Sequence, residues 1–552
     1  MNPRYMFALA RSIGVIVAAA LASTVTSAQT VPNELPGTLR LTLEDAVRRA
    51  VDRNPDLAIV RLNRDTAATR VEEAGGAFVP LFSTTVGRSG DVTPPSNFLL
   101  GDRGVSVNDW FSSTGVRQRV PWGGGTWNVS WDAARTTTNN PLSSFDPSLV
   151  SGIQIAFSQP LFKDRTVDAS RHQYLIASRN HQTSELRFRE SVVQTVAAVK
   201  QAYWTLKATI ANVTVQQRSL ELAEELVRQN KARVDVGQAP PLDLLQAQAE
   251  VAQRRENLIR ANATAGDAED RLRRLIMDPA APSFWQVRLE PVDEPRGGDL
   301  EFDVESAVAA ISSRRLDLAR ARNELANAES NVAFYNNQKL PDVRLETSYR
   351  GNGLSGTQFL RSGGFPGIVT GQLRRGFGSA LDQMFSQEYS TWSFGVTMSY
   401  PLGRSYEEAG LARAGFERRQ ATQRIASLEL DAAAAIRQGA RQVQSTAERI
   451  DAARAGATLA QQRLDTEQRR FEVGLSTSFL VTQAQRDLLQ AEVNLLQAML
   501  DHQSSLVNFE AVQQAPPLTV GQTIALSGAD VVLIPPSEPR GVFRQSSITE
   551  LP

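Results

Sequence analysis

The chain holds three histidines, at positions 172, 181 and 502, and no cysteine. Imidazoles that share a metal from one helix stand three or four residues apart, because only those positions are neighbours on a helix surface. His172 and His181 are nine apart and His502 is remote, so all three read as solvated residues on helix faces. Without cysteine there is no disulfide, no thiol nucleophile, no thiolate-bound metal and no lipidated N-terminal cysteine. Trp122-Gly123-Gly124-Gly125-Thr126 is not a loop that follows a strand and opens a helix, so it reads as a hairpin turn and not a phosphate cradle. No local motif suggests a Ser/His/Asp arrangement. Acidic residues are abundant, but on helical stretches they read as surface ion pairs. These residues point away from an enzyme, a metal centre or a bound cofactor. The formal net charge is zero and the cations are spread along helix faces, which argues against a nucleic-acid partner held by phosphate neutralisation.

Any other function must come from the elements, and these are unusual. Residues 161–236 contain neither glycine nor proline and are dense in Ala, Leu, Val, Gln, Arg and Glu. One helix over about 163–235 follows, and about 70 helical residues would span roughly 105 Å. A globular helix averages about 11–12 residues. Such a rod serves to cross a distance. A second rod is expected over about 404–472, softened by glycines at 410, 415, 439 and 456. Return helices are expected over about 242–277 and 478–512.

The rods belong to a longer duplication. Thr42-Leu43-Glu44-Asp45-Ala46-Val47 answers Asp303-Val304-Glu305-Ser306-Ala307-Val308, and Asp56-Leu57-Ala58 answers Asp317-Leu318-Ala319, both 261 residues apart. Pro160-Leu161 then matches Pro401-Leu402, and Val236-Gly237 matches Val473-Gly474. Each half reads helix, strands, very long helix, tight turn, shorter helix. Thr42 and Asp303 are N-cap types. Asn54-Pro55 restarts the first helix, whereas the second half has Arg315-Leu316 there. Leu222, Leu226 and Arg233 share one stripe, and Leu459 and Arg470 recur in its twin as a packing seam.

At the start, Arg4 and Arg11 flank or precede the apolar run Ile13 to Ala22, which is too short to span a bilayer. Thr26-Ser27-Ala28 suits cleavage before Gln29, so residues 1–28 read as a secretory signal. The division expected is therefore 1–28 signal, 29–300 first repeat, 301–512 second repeat and 513–552 a peripheral tail.

Between first helix and rod, each half alternates with period two. In Thr391 to Tyr400 every even position is large and apolar and every odd one small or polar. Val343, Leu345 and Tyr349 alternate with Arg344, Glu346 and Ser348, and Ile153, Ile155 and Phe157 with Gln154, Ala156 and Ser158. Trp127, Val129 and Trp131 do the same. Segments of about ten residues with this period fit membrane-spanning strands with one lipid face and one wet face. Loops are expected at about 89–110, 137–148 and 351–388, and two extra strands, near 114–120 and 125–135, only in the first half. The fold class read from these elements is α+β, a membrane protein whose spanning strands and long helical hairpins come from two internal repeats.

At this point the chain resembles the TolC-like outer-membrane efflux family over roughly residues 38–512. The carriers are Leu41-Thr42-Leu43-Glu44-Asp45-Ala46, Asn54-Pro55-Asp56-Leu57, and the turns Arg233-Val234-Asp235-Val236-Gly237 and Arg470-Phe471-Glu472-Val473-Gly474-Leu475. Gln-Ala-Gln recurs at 246–248 and 483–485. The resemblance implies a homotrimer in the outer membrane of a Gram-negative cell, its transmembrane β-barrel continued into a long periplasmic α-helical barrel, with four strands per protomer where this chain's own alternation offers up to six. It implies a periplasmic adaptor protein and an inner-membrane pump as partners, in efflux or type I secretion. Val236, Gly237, Val473, Gly474 and Leu475 match the family's docking tips. Asp243 matches an acidic tip position, and Leu480 and Gln483 stand where relatives can carry a gate carboxylate. Asp243, Leu480 and Gln483 are thus the candidate pore gate, with only the first copy acidic. The competing reading is a periplasmic coiled-coil scaffold or adaptor without a channel. The cargo is not legible.

Overall fold

The computed structural model describes residues 37–94, 104–282, 284–295, 304–309, 315–364, 367–403 and 405–513. The expected signal, the expected repeat boundary at 300, Asp303 and the tail beyond Gln513 lie outside those residues.

Strand β1 (Thr38–Leu41) leads into α1 (Leu43–Arg53) and α2 (Pro55–Gly75). Four strands follow: β2 (Leu81–Thr93), β3 (Val105–Arg119), β4 (Thr126–Thr138) and β5 (Phe145–Pro160). The rod α3 (Ala169–Asp235) and its return α4 (Pro241–Ile276) complete the first half. The second half begins after β6 (Arg288–Pro291) with α5 (Val304–Ala309) and α6 (Leu316–Gln338). Then come β7 (Asp342–Ser362), β8 (Ile368–Arg375), α7 (Phe377–Phe385), β9 (Ser390–Ser399), the rod α8 (Tyr406–Glu472) and its return α9 (Ser478–Gln513).

The two hairpins agree in size. Both rods have 67 residues and both returns 36. At ~1.5 Å per residue each rod is roughly 100 Å long. No isolated helix of that composition needs to be stable by itself, because side-by-side packing supplies most helical stability in proteins. The short helices lie end to end along the rods. Asn54 caps α2 by accepting from the N–H groups of Asp56 and Leu57, and its Nδ2 donates across the junction to the carbonyl of Leu275 at the end of α4. In the second half Arg315 replaces Asn54. It makes no cap bond, but its Nη1 donates to the carbonyl of Val512, which occupies Leu275's place near the end of α9. Different chemistry closes the same joint.

The strands form one antiparallel sheet in the order β2-β3-β4-β5-β7, with β8 on the upper part of β7's far edge and β9 on the lower part. Six strands, β2, β3, β4, β5, β7 and β9, run side by side, not the four that the resemblance implies. The extra pair is β3–β4, joined by the glycine turn at 123–125, where Gly123 and Gly124 have φ of 66° and 73°. A Cβ on Gly124 would lie 2.2 Å from the Asp164 carbonyl, so this turn is seated on the loop that enters α3. That loop is clamped. The Asp164 N–H donates to Asn337, Gln338 and Arg344 donate to its carboxylate, and Arg171 donates to its carbonyl.

Three expectations need correction. The loops expected at 89–110 and 351–388 are largely regular: β2 runs to Thr93, β3 starts at Val105, and β7 continues to Ser362, followed by β8 and α7. Glycines that suggested loops serve packing instead. A Cβ on Gly353 would stand 1.8 Å from the Ala380 carbonyl, and one on Gly351 2.6 Å from that of Met384, so both glycines let α7 lie on the sheet. The twin packing stripe also fails. Leu222 and Leu226 face a core with Leu464, Phe471, Val481, Ala484 and Leu488, whereas Leu459 is exposed. Finally, the histidines are not all solvated. His502 is buried beside Thr446, and His172 is half-buried, stacked on Phe334 and bonded to Asn331, and burial lowers the pKa of both.

Replacing Asn54 by alanine removes a cap and the bridge to α4. The expected cost is about 1–3 kcal/mol, read as a lower urea midpoint; an unchanged midpoint would remove the joint from this account.

Candidate functional site: a two-faced sheet and paired helical tips

Strand pairing aligns side chains into rows. One row reads Phe82, Val116, Val129, Ile155, Tyr349, Trp392 from β2 to β9. The adjacent row, on the opposite face, reads Ser83, Gly115, Ser130, Gln154, Arg350, Thr391. The sheet is thus apolar on one side and polar on the other across all six strands. On the polar face stand Asp91, Asp109, Arg117, Arg119, Asp132, Asp342, Arg344, Glu346 and Arg350. There Arg350 lies 3.7 Å from Asp132, which also accepts from Ser113 at 2.6 Å. The apolar face is exposed in the single chain: Phe82, Ile155, Trp392, Phe394, Val396 and Met398 have no cover. A water-facing sheet would not leave such a surface bare. Strands β2 and β9, the two edges, are the most exposed of all.

At the other end of the rods the two turns are built alike. Gly237 (φ 73°) and Gly474 (φ 80°) take the left-handed conformation that glycine favours at a helix end. The Gly237 N–H donates to Val234 and that of Gln238 to Arg233, while Gly474 donates to Phe471 and Leu475 to Arg470. These are Schellman motifs, which satisfy the last carbonyls of each rod. Beside them Val236, Val473 and Leu475 are 67%, 70% and 71% exposed. Leu242, Leu245 and Phe479, at the starts of the return helices, are exposed as well. Arg233 ties the two tips together. Its guanidinium sits 3.9 Å from the Phe471 ring centroid and donates to the Phe471 carbonyl at 2.6 Å. Neither bond was legible from sequence, because the partners lie in different repeats.

The gate candidates stand on two different return helices, α4 and α9. Asp243 lies in the first turn of α4, where its carbonyl accepts from Asn230, and Asn230 also donates to Ser478 at 2.7 Å. Leu480 takes the matching place in α9, half a turn after Ser478, and its N–H is held by Thr477. Gln483 donates to Asp487, which Arg463 also engages at 2.7 Å. The carboxylate that Gln483 touches is therefore already paired with an arginine. Further along, sequence reasoning missed a buried network. Arg254 and Arg486 both donate to Glu250, and Arg254 also reaches Ser219, joining α3, α4 and α9. Burial alone would raise the Glu250 carboxyl, but the two arginines outweigh it and hold it below the usual carboxylate range.

A carboxyl held low stabilises the fold at neutral pH, and that contribution is lost as pH falls through its folded value. Glu250→Gln leaves Arg254 buried with half a partner, so it is expected to cost roughly 3–5 kcal/mol at pH 7. The urea midpoints of parent and variant should converge below about pH 4; parallel curves throughout would show that the network carries no charge-dependent stability.

No curated protein sequence matches the chain. Solved structures do match its fold. The Campylobacter jejuni CmeC outer membrane channel aligns with a TM-score of 0.62 at 16% identity, covering 86% of this chain and 85% of that one. The Vibrio cholerae outer membrane protein VceC gives 0.58 at 16% identity over 86% and 96% of the two chains. The Neisseria gonorrhoeae MtrE outer membrane channel gives 0.57 at 16% identity over 86% and 89%. At such identity the likeness carries the fold alone. The sequence model of the outer membrane efflux proteins matches residues 46–276 and 308–512, both repeats and most of the chain, and on that match the chain belongs to the outer membrane efflux protein family.

Proposed function

We propose that three copies of this chain form one export duct, with the sheets closed into a barrel in the outer membrane of a Gram-negative cell and the rods reaching through the periplasm. The observation that carries this reading is the division of charge between the sheet's two faces. An apolar band outside and a polar wall inside is what a strand barrel in lipid requires. Edges β2 and β9 are antiparallel in sense and equally bare, so β9 of one copy can pair with β2 of the next. Six strands from each of three copies would make an eighteen-stranded barrel, in the range of about 16–18 strands that leaves an aqueous channel. Among the described residues no helix is long and apolar enough to cross a membrane.

The apolar tips at Val236, Gly237, Val473, Gly474 and Leu475 are the surface offered to a periplasmic adaptor, which couples the duct to an inner-membrane pump for efflux or type I secretion. Asp243 narrows the mouth from the first tip alone, Leu480 and Gln483 standing in the second. Bonds are not made or broken in this function. The chain supplies a wet path, a lipid-facing wall and a docking end.

Membrane fractions are expected to release the protein only with detergent, as a trimer that dissociates on heating. Release by high salt would favour the periplasmic scaffold reading. Single-channel recordings are expected to show weak cation selectivity, since only one tip per copy is acidic. Strong selectivity abolished by Asp243→Asn would overturn that expectation and assign the gate to Asp243.

A further inference from the structure

On the apolar face of the six strands, up to Ser355 in β7, the described residues include two charged side chains, and both are arginines. They share one row: Arg88 on β2, Trp110 on β3, Arg135 on β4. The Arg88 guanidinium lies 5.4 Å from the Trp110 ring centroid, and all three side chains are exposed. No carboxylate occupies that face of these strands. Trp110 and Arg135 each stand nine residues above the lower ends of their strands, Arg119 and Thr126. With strands tilted by about 40°, that is roughly 22 Å of height, close to the top of an apolar band about 25 Å tall. Arginine is costly at mid-membrane and nearly free at the interface, and tryptophan collects there too. The amphipathic helix α7 lies on the same face at a similar level, directly after the exposed Arg374 and Arg375.

We propose that Arg88 and Arg135, on either side of Trp110, bind the phosphates of an outer-leaflet glycolipid headgroup. The proposal rests on the barrel reading above. Two cations with no acid on that face of the strands leave a site for an anion, the nearby Asp382 belonging to α7, which packs on β5 and β7, and guanidinium groups bind phosphate through paired hydrogen bonds. Their strands are two apart, about 10 Å between backbones. A headgroup with two separated phosphates on a disaccharide spans that gap, and a single glycerophosphate does not. Trp110 packs its ring against the sugar between them.

The test uses the full-length trimer in neutral detergent, titrated with bis-phosphorylated lipid A and followed by native mass spectrometry. The parent is expected to retain the lipid, and Arg88→Gln with Arg135→Gln to lose roughly tenfold or more in affinity. Arg88→Lys with Arg135→Lys should recover part of it, since charge returns without the planar fork. Equal binding of the dephosphorylated lipid, or an unchanged affinity in the glutamine variant, would overturn the proposal and leave only a generic apolar belt. Displacement by millimolar inorganic phosphate would overturn it in favour of a free-anion site. An intact heat-modifiable trimer in the glutamine variant keeps these outcomes separate from a failure of the barrel reading, which would appear instead as release of the parent from membranes by salt.

Discussion

A strand in hydrocarbon cannot leave its edge unpaired. Each backbone N–H or C=O without a partner there costs several kcal/mol, and water is not available to supply one. In this chain the constraint falls on β2 and β9, the bare edges of the six-strand sheet. Much of the remaining architecture answers to it. An even number of strands makes the first edge run outward and the last run back, so identical copies can join edge to edge without a change of direction. Each copy also returns its chain to the same side of the sheet, where the rods begin.

The sheet is tied to the rods by polar contacts and not by a large apolar core. Asp164, in the left-handed region at φ 67°, is held by Asn337, Gln338, Arg344 and Arg171, which come from both repeats. The apolar cores lie further along the helices. One gathers Leu41, Val199, Tyr203, Leu206, Leu272 and Leu289 around the parallel pair β1–β6, where the Tyr203 hydroxyl donates to the Leu41 carbonyl or the Asp293 carboxylate. A second, in the other half, gathers Leu318, Ile436, Val443 and Phe509, and a third closes the tips around Leu226, Leu464 and Phe471. The helical body is therefore stapled at its middle and at its tip, and the joint to the sheet is a hydrogen-bonded collar.

What could be read from residues alone follows from period and punctuation. The rods were legible because 161–236 lacks glycine and proline, and the strands because alternation with period two has few other causes. The hairpin turns were legible from Gly237 and Gly474. What failed did so for physical reasons. Gly351 and Gly353 signal a loop by composition, yet they mark a close approach of helix to strand. Leu459 repeats Leu222 in sequence but not in environment, since two hairpins that pack on each other cannot present identical faces. Arg315-Leu316 lacks the Asn-Pro signal, yet Arg315 reaches the Val512 carbonyl, the counterpart of the Leu275 carbonyl that Asn54 holds. The Glu250 network and the Arg88–Trp110–Arg135 row depend on register between distant segments, which no local pattern encodes.

The β3–β4 hairpin enters between β2 and β5 and leaves the chain where it found it. Its turn sits on the collar at Gly124 without interrupting α2 or α3. Circumference can thus grow or shrink by whole hairpins while rod length stays fixed. In a tube assembled this way, bore and reach are independent dimensions, and a lineage could widen the outlet for bulkier cargo while continuing to fit the same machinery at the opposite end.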